Sequence, residues 1–396
     1  MEIGIVGKPS SGKSTFFSAA TLINVEIAPY PFTTIKPNRG TSFVRTKCPH
    51  TEIGEKCQPV NSQCIQGERF SPISLIDVAG LVPDAHKGKG LGNQFLNDLI
   101  QANALIHVLD CSGSTDAEGK QVEKNSHNPI DDVKFLEKEI DYWIESILTK
   151  NWEKISKKAA TEPSPIKALH EQLSGLNISE EEIAHVLKLQ NFSMKIVQWN
   201  EEEIFRFSES IRKKSKPIVV AANKIDVDVS EKNLEKLKKE FSQYKVIACS
   251  SESELALRKA AKAGLIEYLP GDNDFKILKE LDEKQKHALE FIKEHVLKKF
   301  GSTGIQQALN ETVFDELKQI IVYPVQDEKK WISGKGNILP DTFIIPNTSN
   351  AHDLAAKIHT DFAEKFIGAV DCRTKQRIGK EHILKNNDIV RILLKN

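Results

Sequence analysis

Short runs of consecutive hydrophobic residues recur along the first two thirds of the chain and alternate with amphipathic stretches. Such runs are typical of strands that are buried on both faces of a parallel sheet, whereas hydrophobic residues spaced three and four apart are typical of helices. The pattern therefore predicts an α/β fold with a doubly wound, mostly parallel sheet. The predicted strands are residues 3–6, 73–76, 104–110, 218–222 and 246–248.

The segment between the strands at 104–110 and 218–222 is far longer than an ordinary connection of a few residues. Its hydrophobic residues recur three and four apart, as at Val133, Leu136 and Ile140, with lysines and glutamates on the other faces. This pattern predicts an inserted helical or coiled-coil module. A solvated helical insert without a partner is the alternative.

The character of the chain changes again near residue 320. Strand-like runs at 322–325 and 342–345, a helix at 351–366 and two further runs at 368–371 and 389–394 predict a small sheet packed on one helix. We therefore expect four parts. They are a nucleotide-binding domain at 1–114 and 215–280, an inserted helical domain at 115–214, a helical linker at 281–319 and a small domain at 320–396.

A phosphate-binding pattern follows the first predicted strand. Residues 7–14 match G-x-x-x-x-G-K-S, the P-loop, whose backbone N–H groups turn toward phosphates at a helix N-terminus. Lys13 would reach the β- and γ-phosphates and assist catalysis, and Ser14 would bind Mg²⁺. A strand-to-helix turn without a ligand is the alternative, but the flanking strand and helix that the motif requires are present. The candidate phosphate-binding residues are Gly7, Lys8, Pro9, Ser10, Ser11, Gly12, Lys13, Ser14 and Thr15.

Two further motifs favour GTP among the nucleotides. Asp77 and Gly80 form a D-x-x-G, in which the carboxylate can hold Mg²⁺ and the glycine N–H can meet a γ-phosphate. Asn223, Lys224 and Asp226 form the N-K-x-D of guanine-nucleotide proteins. The carboxylate of Asp226 can accept hydrogen bonds from guanine, whereas adenine would leave it facing an acceptor.

Composition is consistent with a cytoplasmic, monomeric switch protein. The 55 basic and 55 acidic residues cancel, so any RNA contact must be local. The sequence contains no run of 18 hydrophobic residues, so we expect no membrane span. No charged and hydrophobic leader precedes the first strand, so we expect no signal peptide. The six cysteines fit a reducing compartment better than a disulfide framework.

Several further sequence segments lie before, between and after these motifs, and together they resemble a known family. The chain resembles, over essentially its whole length, the YchF subfamily of Obg-like translation-factor GTPases, most closely the archaeal branch. Its C-terminal part resembles the TGS domain of that subfamily, a β-grasp fold. The segments that carry the resemblance are 30–34, 77–83, 88–93, 351–355, 358–361 and 387–390.

The resemblance implies a cytosolic nucleotide hydrolase that associates with the ribosome. It implies that Thr34, or failing it Thr33, binds Mg²⁺ when GTP is present, and that Ser250 and Ser251 meet the guanine oxygen. The family often has Ala at position 251. At position 10 many relatives have Asn, which helps hold potassium in some related GTPases, so Ser10 argues against activation by potassium.

The residue after D-x-x-G is Leu81, where many GTPases have a Gln that orients the attacking water. Catalysis then needs another group in the chain, a partner, or neither if the protein is a slow switch. The resemblance suggests a histidine in the loop ahead of the insert. His127 is the first candidate and His86 the second, and an ordinary solvent-exposed histidine is the alternative for each.

Two clusters outside these motifs are candidate binding sites. Cys48, His50, Cys57 and Cys64 have ligand types that suit Zn²⁺, although their spacing is not that of a standard zinc knuckle and reduced cysteines need no metal. A basic turn is the best candidate for an RNA phosphate contact, although surface turns are often basic without RNA. It contains Arg373, Lys375, Arg377 and Lys380.

The sequence thus predicts a slow GTPase that hydrolyses GTP to GDP and phosphate on or near the ribosome. Two alternatives stay open at this point. One is an ATP-hydrolysing relative, since some members have lost N-K-x-D. The other is a binding module that nucleotide merely orders, with negligible turnover.

Overall fold

The computed structural model describes residues 1–21, 39–78 and 99–395. Within them the chain forms two compact units. The first contains residues 1–21, 39–40, 74–78 and 99–308, and the second contains residues 41–73 and 309–395. The boundaries of the four predicted parts stay a prediction.

A seven-stranded sheet carries the predicted nucleotide motifs. Its strand order is β2-β4-β1-β5-β6-β7, with β3 paired to β4. Neighbouring strands from β4 through β1, β5 and β6 to β7 are parallel, and only β3 is antiparallel to β4 among the pairs with a described register. The predicted α/β fold with a mostly parallel sheet is confirmed. The strands are β1 Glu2–Val6, β2 Arg39–Lys47, β3 Gln63–Ile65, β4 Glu68–Asp77, β5 Ala104–Asp110, β6 Ile218–Asn223 and β7 Lys245–Ala248.

Strands β2 and β3 were not among the predicted ones. Strand β2 is mostly polar and charged, and only its three central residues, Ser42, Phe43 and Val44, are buried. A strand with so little hydrophobic surface gives no buried-strand signal in the sequence.

Helices follow the strands and place their first residues at the carboxyl edge of the sheet. Helix α1 (Lys13–Thr21) follows β1, and its buried Phe16, Ala19 and Ala20 face the core. Because parallel strands present their carboxyl ends at one edge, the loops after β1, β4, β5, β6 and β7 can converge there.

The insert between β5 and β6 is helical, as predicted. Its hydrophobic faces share one core with residues of the sheet, so that Leu136 and Trp143 belong to the same cluster as Leu105 and Ile218. The positions that suggested a coiled-coil arm therefore bury against the core of the sheet. The helices are α2 Pro129–Thr149, α3 Trp152–Thr161, α4 Ile166–Leu173, α5 Glu180–Leu189 and α6 Glu201–Ser215.

Helices α2 and α6 are joined by a buried ion pair. The guanidinium of Arg212 on α6 donates from Nε to Asp141 Oδ1 of α2 at 2.6 Å, and Arg212 is 1% exposed. Removal of either residue would leave the other charge buried and uncompensated. The pair therefore holds the two helices in register.

The remainder of the first unit follows strand β6 in the sequence. Helix α7 (Ser230–Glu240) precedes β7 and helix α8 (Ser251–Lys262) follows it. A two-stranded hairpin and further helical turns complete this part. They are β8 Ile266–Glu267, β9 Lys276–Ile277, α9 Glu283–Ile292, a π-helical turn Lys293–Leu297, α10 Lys298–Phe300 and α11 Ile305–Asn310.

A second sheet of order β11-β10-β14-β12-β13 forms the C-terminal part. A small sheet with helical cover was predicted, but the single helix at 351–366 is two helices. The backbone of His359 is extended, and its side chain accepts a hydrogen bond from Asp361 N, which caps the second helix. The elements are β10 Gln319–Val325, β11 Phe343–Pro346, α12 Ala351–Ile358, α13 Thr360–Glu364, β12 Phe366–Asp371, β13 Arg377–Ile378 and β14 Asp388–Leu394.

Among the described residues, no helix combines the length and the hydrophobicity needed to cross a bilayer.

Candidate nucleotide-binding site

The loop between β1 and α1 has the backbone of a phosphate cradle. Gly7 and Gly12 have φ of +150° and +96°, and Ser10 between them is left-handed at +60°. A Cβ at Gly7 would lie 2.2 Å from Val108 O, so only glycine fits against β5. Successive residues in such conformations turn their N–H groups toward one concave side, where an anion can bind.

Lys13 begins helix α1 directly after this loop. Its ammonium donates to Lys8 O at 2.9 Å, and the residue is only 9% exposed. Burial lowers the pKa of Lys13, and the negative charge of Asp77 opposes that effect. Lys13 and the end of β4 are thus electrostatically coupled, as expected of a lysine and a carboxylate around one metal–phosphate group.

Lys8 has a different role from that of Lys13, because its side chain points into the protein. The Lys8 ammonium lies 2.9 Å from Asp132 Oδ2 and donates to Thr115 O at 2.8 Å. It is 3% exposed. Lys8 therefore anchors the phosphate loop to the first turn of the insert, and only its backbone is left for the cradle.

His127 lies in the same network. Its Nε2 is 2.7 Å from Asp132 Oδ1, and its side chain is 15% exposed. It is therefore not an ordinary exposed loop histidine, and Lys8, Asp132 and His127 form a connected chain of polar groups. Its catalytic role stays a prediction.

Asn223, at the end of β6, joins the phosphate loop to the loop after β7. Its amide nitrogen donates to Ser11 O at 3.0 Å. Its amide oxygen accepts from Ser251 N at 3.0 Å and from Ser251 Oγ at 2.9 Å. Asn223 is 3% exposed, so these neutral bonds are shielded from water. Ser251, predicted together with Ser250 to meet the guanine oxygen, thus has both its backbone N–H and its hydroxyl bound to Asn223.

Asp226 and Ser250 face each other across the same edge. Ser250 Oγ lies 2.7 Å from Asp226 Oδ1 and 2.8 Å from Ser253 Oγ. The backbone N–H of Ser250 donates to Thr303 O. The carboxylate predicted to read the base is thus oriented by a serine that is itself held in place.

Lys224, the second residue of N-K-x-D, pairs with the end of β5. Its ammonium lies 2.9 Å from Asp110 Oδ2, and Thr115 Oγ1 donates to the same oxygen at 2.8 Å. Hydrogen bonds from Ser112 and the charge of Lys224 hold the pKa of Asp110 below its usual value, although burial alone would raise it. Sequence reasoning assigned no role to Asp110, at the end of β5, or to Asp132, in the first turn of α2.

His107 lies on β5 behind the phosphate loop and is 1% exposed. Burial lowers its pKa to about 3, and the positive charges of Lys13 and Lys8 act in the same direction. The imidazole is therefore neutral at physiological pH.

Part of the predicted site lies outside the described residues: Thr33, Thr34, Gly80, Leu81 and His86. Of the predicted Mg²⁺ ligands, Ser14 is exposed on the first turn of α1 and Asp77 ends β4. A hydroxyl and a carboxylate at this edge fit the oxygen ligands that Mg²⁺ takes in P-loop sites.

The two candidate clusters outside the nucleotide motifs differ in how their side chains are arranged. The ligand atoms of Cys48, His50, Cys57 and Cys64 all lie within 4.8 Å of one another. In the basic turn, Arg373 is engaged by a two-bond pair with Glu52, at 2.7 Å each. Three basic side chains of that turn are exposed, namely Lys375, Arg377 and Lys380.

Three family models match the chain. Residues 2–144 match "50S ribosome-binding GTPase", residues 221–327 match "Obg-like GTPase YGR210-like, G4 motif-containing domain", and residues 334–394 match "TGS domain".

Relatives of the chain are similar over nearly its whole length. An uncharacterized GTP-binding protein of Methanocaldococcus jannaschii is 50% identical, over 99% of this chain and 98% of its own. The ribosome-binding ATPase YchF of Mycoplasma genitalium is 28% identical, over 93% of this chain and 87% of its own. The crystal structure of a GTP-binding protein from Pyrococcus horikoshii covers 100% of both chains, with a TM-score of 0.81 and 40% identity. The Schizosaccharomyces pombe YchF GTPase, at 18% identity and a TM-score of 0.58, shares the fold.

Proposed function

Because the chain belongs to the YchF/Obg-like family of P-loop GTP-binding proteins, we propose that it hydrolyses GTP to GDP and phosphate as a Mg²⁺-dependent molecular switch. The observation that carries this proposal is the edge formed by Asn223, Asp226 and Ser250 beside the phosphate loop. Phosphate and base recognition are brought together there within one unit.

Phosphate binding is assigned to the backbone of residues 7–15 and to the Lys13 ammonium. The ammonium donates to a loop carbonyl, Lys8 O, and it exchanges that weak partner for a phosphate oxygen when nucleotide binds. The loop needs little rearrangement, since its glycines already have the required conformations.

Base selection is assigned to Asp226. Ser250 donates to Asp226 Oδ1 and so holds the carboxylate in one orientation. Guanine offers two donors to this carboxylate, whereas adenine presents an acceptor, so GTP is favoured over ATP. The predicted contacts of Lys224 with the nucleotide, and of Ser250 and Ser251 with the guanine oxygen, belong to this proposal.

Hydrolysis depends on positioning and charge neutralisation. Ser14, Thr34 and Asp77 are proposed to hold Mg²⁺, which would supply positive charge to neutralise the phosphates. Gly80 N–H would contact the γ-phosphate. Leu81 cannot orient water, so we assign that task to His127, whose imidazole is aligned by Asp132.

A ribosomal partner is proposed from the family. The relatives from Mycoplasma and Escherichia coli are named ribosome-binding ATPases. The exposed Lys375, Arg377 and Lys380 provide a positive surface for RNA phosphates in the C-terminal domain. Neutralising these three residues should weaken ribosome co-sedimentation and reduce its dependence on salt.

The first test is a titration of fluorescently labelled GTP, GDP and ATP into the purified protein with Mg²⁺. We expect a strong guanine preference that Asp226→Ala abolishes, by about 100-fold or more, because two charge-assisted hydrogen bonds are lost. Asp228→Ala, an exposed carboxylate two residues away, is the matched control and should leave the preference unchanged. Equal or tighter binding of ATP to the unaltered protein would overturn the assignment.

The names of several relatives favour a second candidate, an ATPase. The ribosome-binding ATPase YchF of Mycoplasma genitalium is 28% identical to this chain, and the Obg-like ATPase 1 of Gallus gallus is 26% identical. The same titration separates the two purines. Single-turnover hydrolysis, with and without ribosomes, then separates an enzyme from a module that nucleotide merely orders.

A further inference from the structure

Four potential metal ligands converge in the segment between β2 and β4. Cys48 directly follows β2, His50 lies in the 3₁₀ turn Pro49–Glu52, and Cys64 lies in β3. The backbone N–H of Cys48 donates to Gly67 O at 2.8 Å, which ties the turn to the β3–β4 hairpin. Cys57 completes the set from the loop between them.

The distances within the cluster match a tetrahedron. Cys48 Sγ and Cys57 Sγ are 3.8 Å apart, and Cys64 Sγ is 3.4 Å from His50 Nδ1. Zinc bonds of about 2.3 Å to sulfur and about 2.0 Å to nitrogen give tetrahedral edges of about 3.8 Å between sulfurs and about 3.5 Å between sulfur and nitrogen. Each pair thus has the length of an edge of a zinc tetrahedron, and all four ligand atoms lie within 4.8 Å of one another.

A buried arginine side chain lies beside the cluster. Arg69, which is 0% exposed, donates to Cys48 Sγ from Nε at 3.4 Å and from Nη2 at 3.3 Å. Its other hydrogen-bond partners are the neutral Ser62 Oγ and Leu339 O, and its guanidinium lies over the Tyr323 ring, 5.3 Å from the centroid. Within the described residues no carboxylate forms an ion pair with Arg69. Three thiolates around Zn²⁺ carry one net negative charge, which balances this guanidinium.

We propose that Cys48, His50, Cys57 and Cys64 bind one structural Zn²⁺ ion. All four positions of the tetrahedron are taken by protein atoms, and a closed site of this kind is structural rather than catalytic. Sulfur and imidazole ligands in tetrahedral geometry select zinc over Mg²⁺ or Ca²⁺.

The ion would brace a segment that is hydrogen-bonded to the C-terminal domain. Between the ligands Cys57 and Cys64, Gln58 N donates to Ile338 O and Val60 N donates to Pro340 O. Asn61 Nδ2 donates to Thr342 O at 2.9 Å, and its oxygen accepts from Thr342 N at 2.9 Å. Zinc therefore fixes the loop that forms this ladder, and loss of zinc should destabilise the second unit.

The test is metal analysis of the full chain purified in metal-free buffer, before and after incubation with Zn²⁺ alone. We expect about one zinc per chain in the unaltered protein and less than a tenth of that in Cys64→Ser. Cys372→Ser, which alters a buried cysteine of the same unit outside the cluster, is the control and should retain the ion.

Two further measurements remain informative if Cys64→Ser fails to fold. Replacement of zinc by Co²⁺ should give the absorption of a tetrahedral thiolate complex, and His50→Cys should retain metal where His50→Ala loses it. Absence of zinc after incubation, a Cys48–Cys57 disulfide seen as a loss of two hydrogens in the intact mass, or full metal content in both Cys64→Ser and His50→Ala would overturn the proposal. Nucleotide binding is scored separately and bears only on the proposed function.

Discussion

The nucleotide site and the Cys/His cluster are both assembled from loops at strand ends, yet they are held in opposite ways. In the nucleotide site, Asn223 satisfies Ser11 and Ser251, and Ser250 satisfies Asp226, through hydrogen bonds within the protein. In the cluster, three thiols and an imidazole surround a common point, and Arg69 compensates one negative charge.

Under the two proposals above, one site is organised before its ligand arrives, whereas the other is completed by its ligand. A preorganised loop binds without a large ordering cost, so changes to its supports should appear as lost affinity. A site built from mutually repelling thiolates gains folding free energy from its metal, so changes there should appear as lost stability.

The largest expected effect comes from Gly12→Ala. A Cβ at Gly12 would lie 2.2 Å from Asn223 Nδ2, and the backbone φ of +96° is strained for alanine. Loss of the Asn223 bond together with this strain should weaken GTP binding by about 100-fold or more, since each costs on the order of 1–3 kcal/mol.

Gly175→Ala is the control for Gly12→Ala, because nothing lies within 4 Å of the added carbon at Gly175. Titration with labelled GTP measures both. An affinity of Gly12→Ala equal to that of the control would mean that the phosphate loop is not preorganised, and the comparison would fail.

Removal of the charge beside the cluster should produce the next largest effect. Arg69→Met deletes both donors to Cys48 Sγ and leaves the thiolates without a counter-charge. We expect zinc affinity to fall by about 10- to 100-fold, the usual cost of losing an outer-shell partner. Arg69→Lys should recover part of the affinity.

Competition with a chromophoric chelator gives the zinc affinities of these variants. Arg373→Met is the control, since Arg373 is in the same unit but pairs with Glu52. Equal zinc affinity in Arg69→Met and Arg373→Met would exclude Arg69 as the counter-charge.

Acid should weaken the first unit through His107. Its pKa is lowered to about 3 by burial and by the charges of Lys13 and Lys8, whereas the unfolded value is about 6.5. Between these values the unfolded chain binds a proton that the folded chain does not, so the free energy of unfolding falls as the pH falls. From pH 6.5 to 5 the loss is about 2 kcal/mol.

Denaturant unfolding of the first unit at pH 7 and pH 5 measures this loss, and His107→Gln is expected to remove about 2 kcal/mol of it. The exposed His185→Gln on α5 is the matched control and should keep the full pH dependence. The same slope in His107→Gln and the unaltered protein would show that the pKa of His107 does not differ between the folded and unfolded states.

The smallest expected effect concerns His127. His127→Ala should lower single-turnover GTP hydrolysis by about tenfold or more, the scale for removing an acid–base or positioning group. Asp132→Asn keeps His127 but removes the charge that pairs both with Lys8 and with the His127 imidazole.

His170→Ala, on helix α4 beside Glu180, is the control for His127→Ala. Unchanged hydrolysis in His127→Ala would remove His127 from the mechanism. Equal losses in His127→Ala and Asp132→Asn, with weaker GTP binding in both, would make His127 a support of the phosphate loop.

The sequence predicted the parts of the nucleotide site that are local. The phosphate loop and N-K-x-D each occupy one strand end, so their spacing along the chain dictates their geometry. The bridge from Asn223 to Ser11 was not predictable, because it joins residues that only the sheet order brings together. The same applies to the Lys8–Asp132 pair.

The cluster was harder to recognise for a related reason. Its spacing is irregular because a 3₁₀ turn, a loop and a hairpin separate the ligands, and only the return of β3 on β4 brings Cys64 to His50. Strand β2, which delivers Cys48, is too polar to be recognised from its pattern.

The amide of Asn223 constrains how purine preference can change in evolution. Substitution of Asn223 disturbs the phosphate loop at Ser11 together with the loop at Ser251. A lineage that alters Asn223 therefore binds every nucleotide more weakly. Asp226 is tied, within the described residues, to Ser250 alone. The base preference can therefore change at position 226 while triphosphate binding persists. A family with one architecture can then contain members that use different nucleotides.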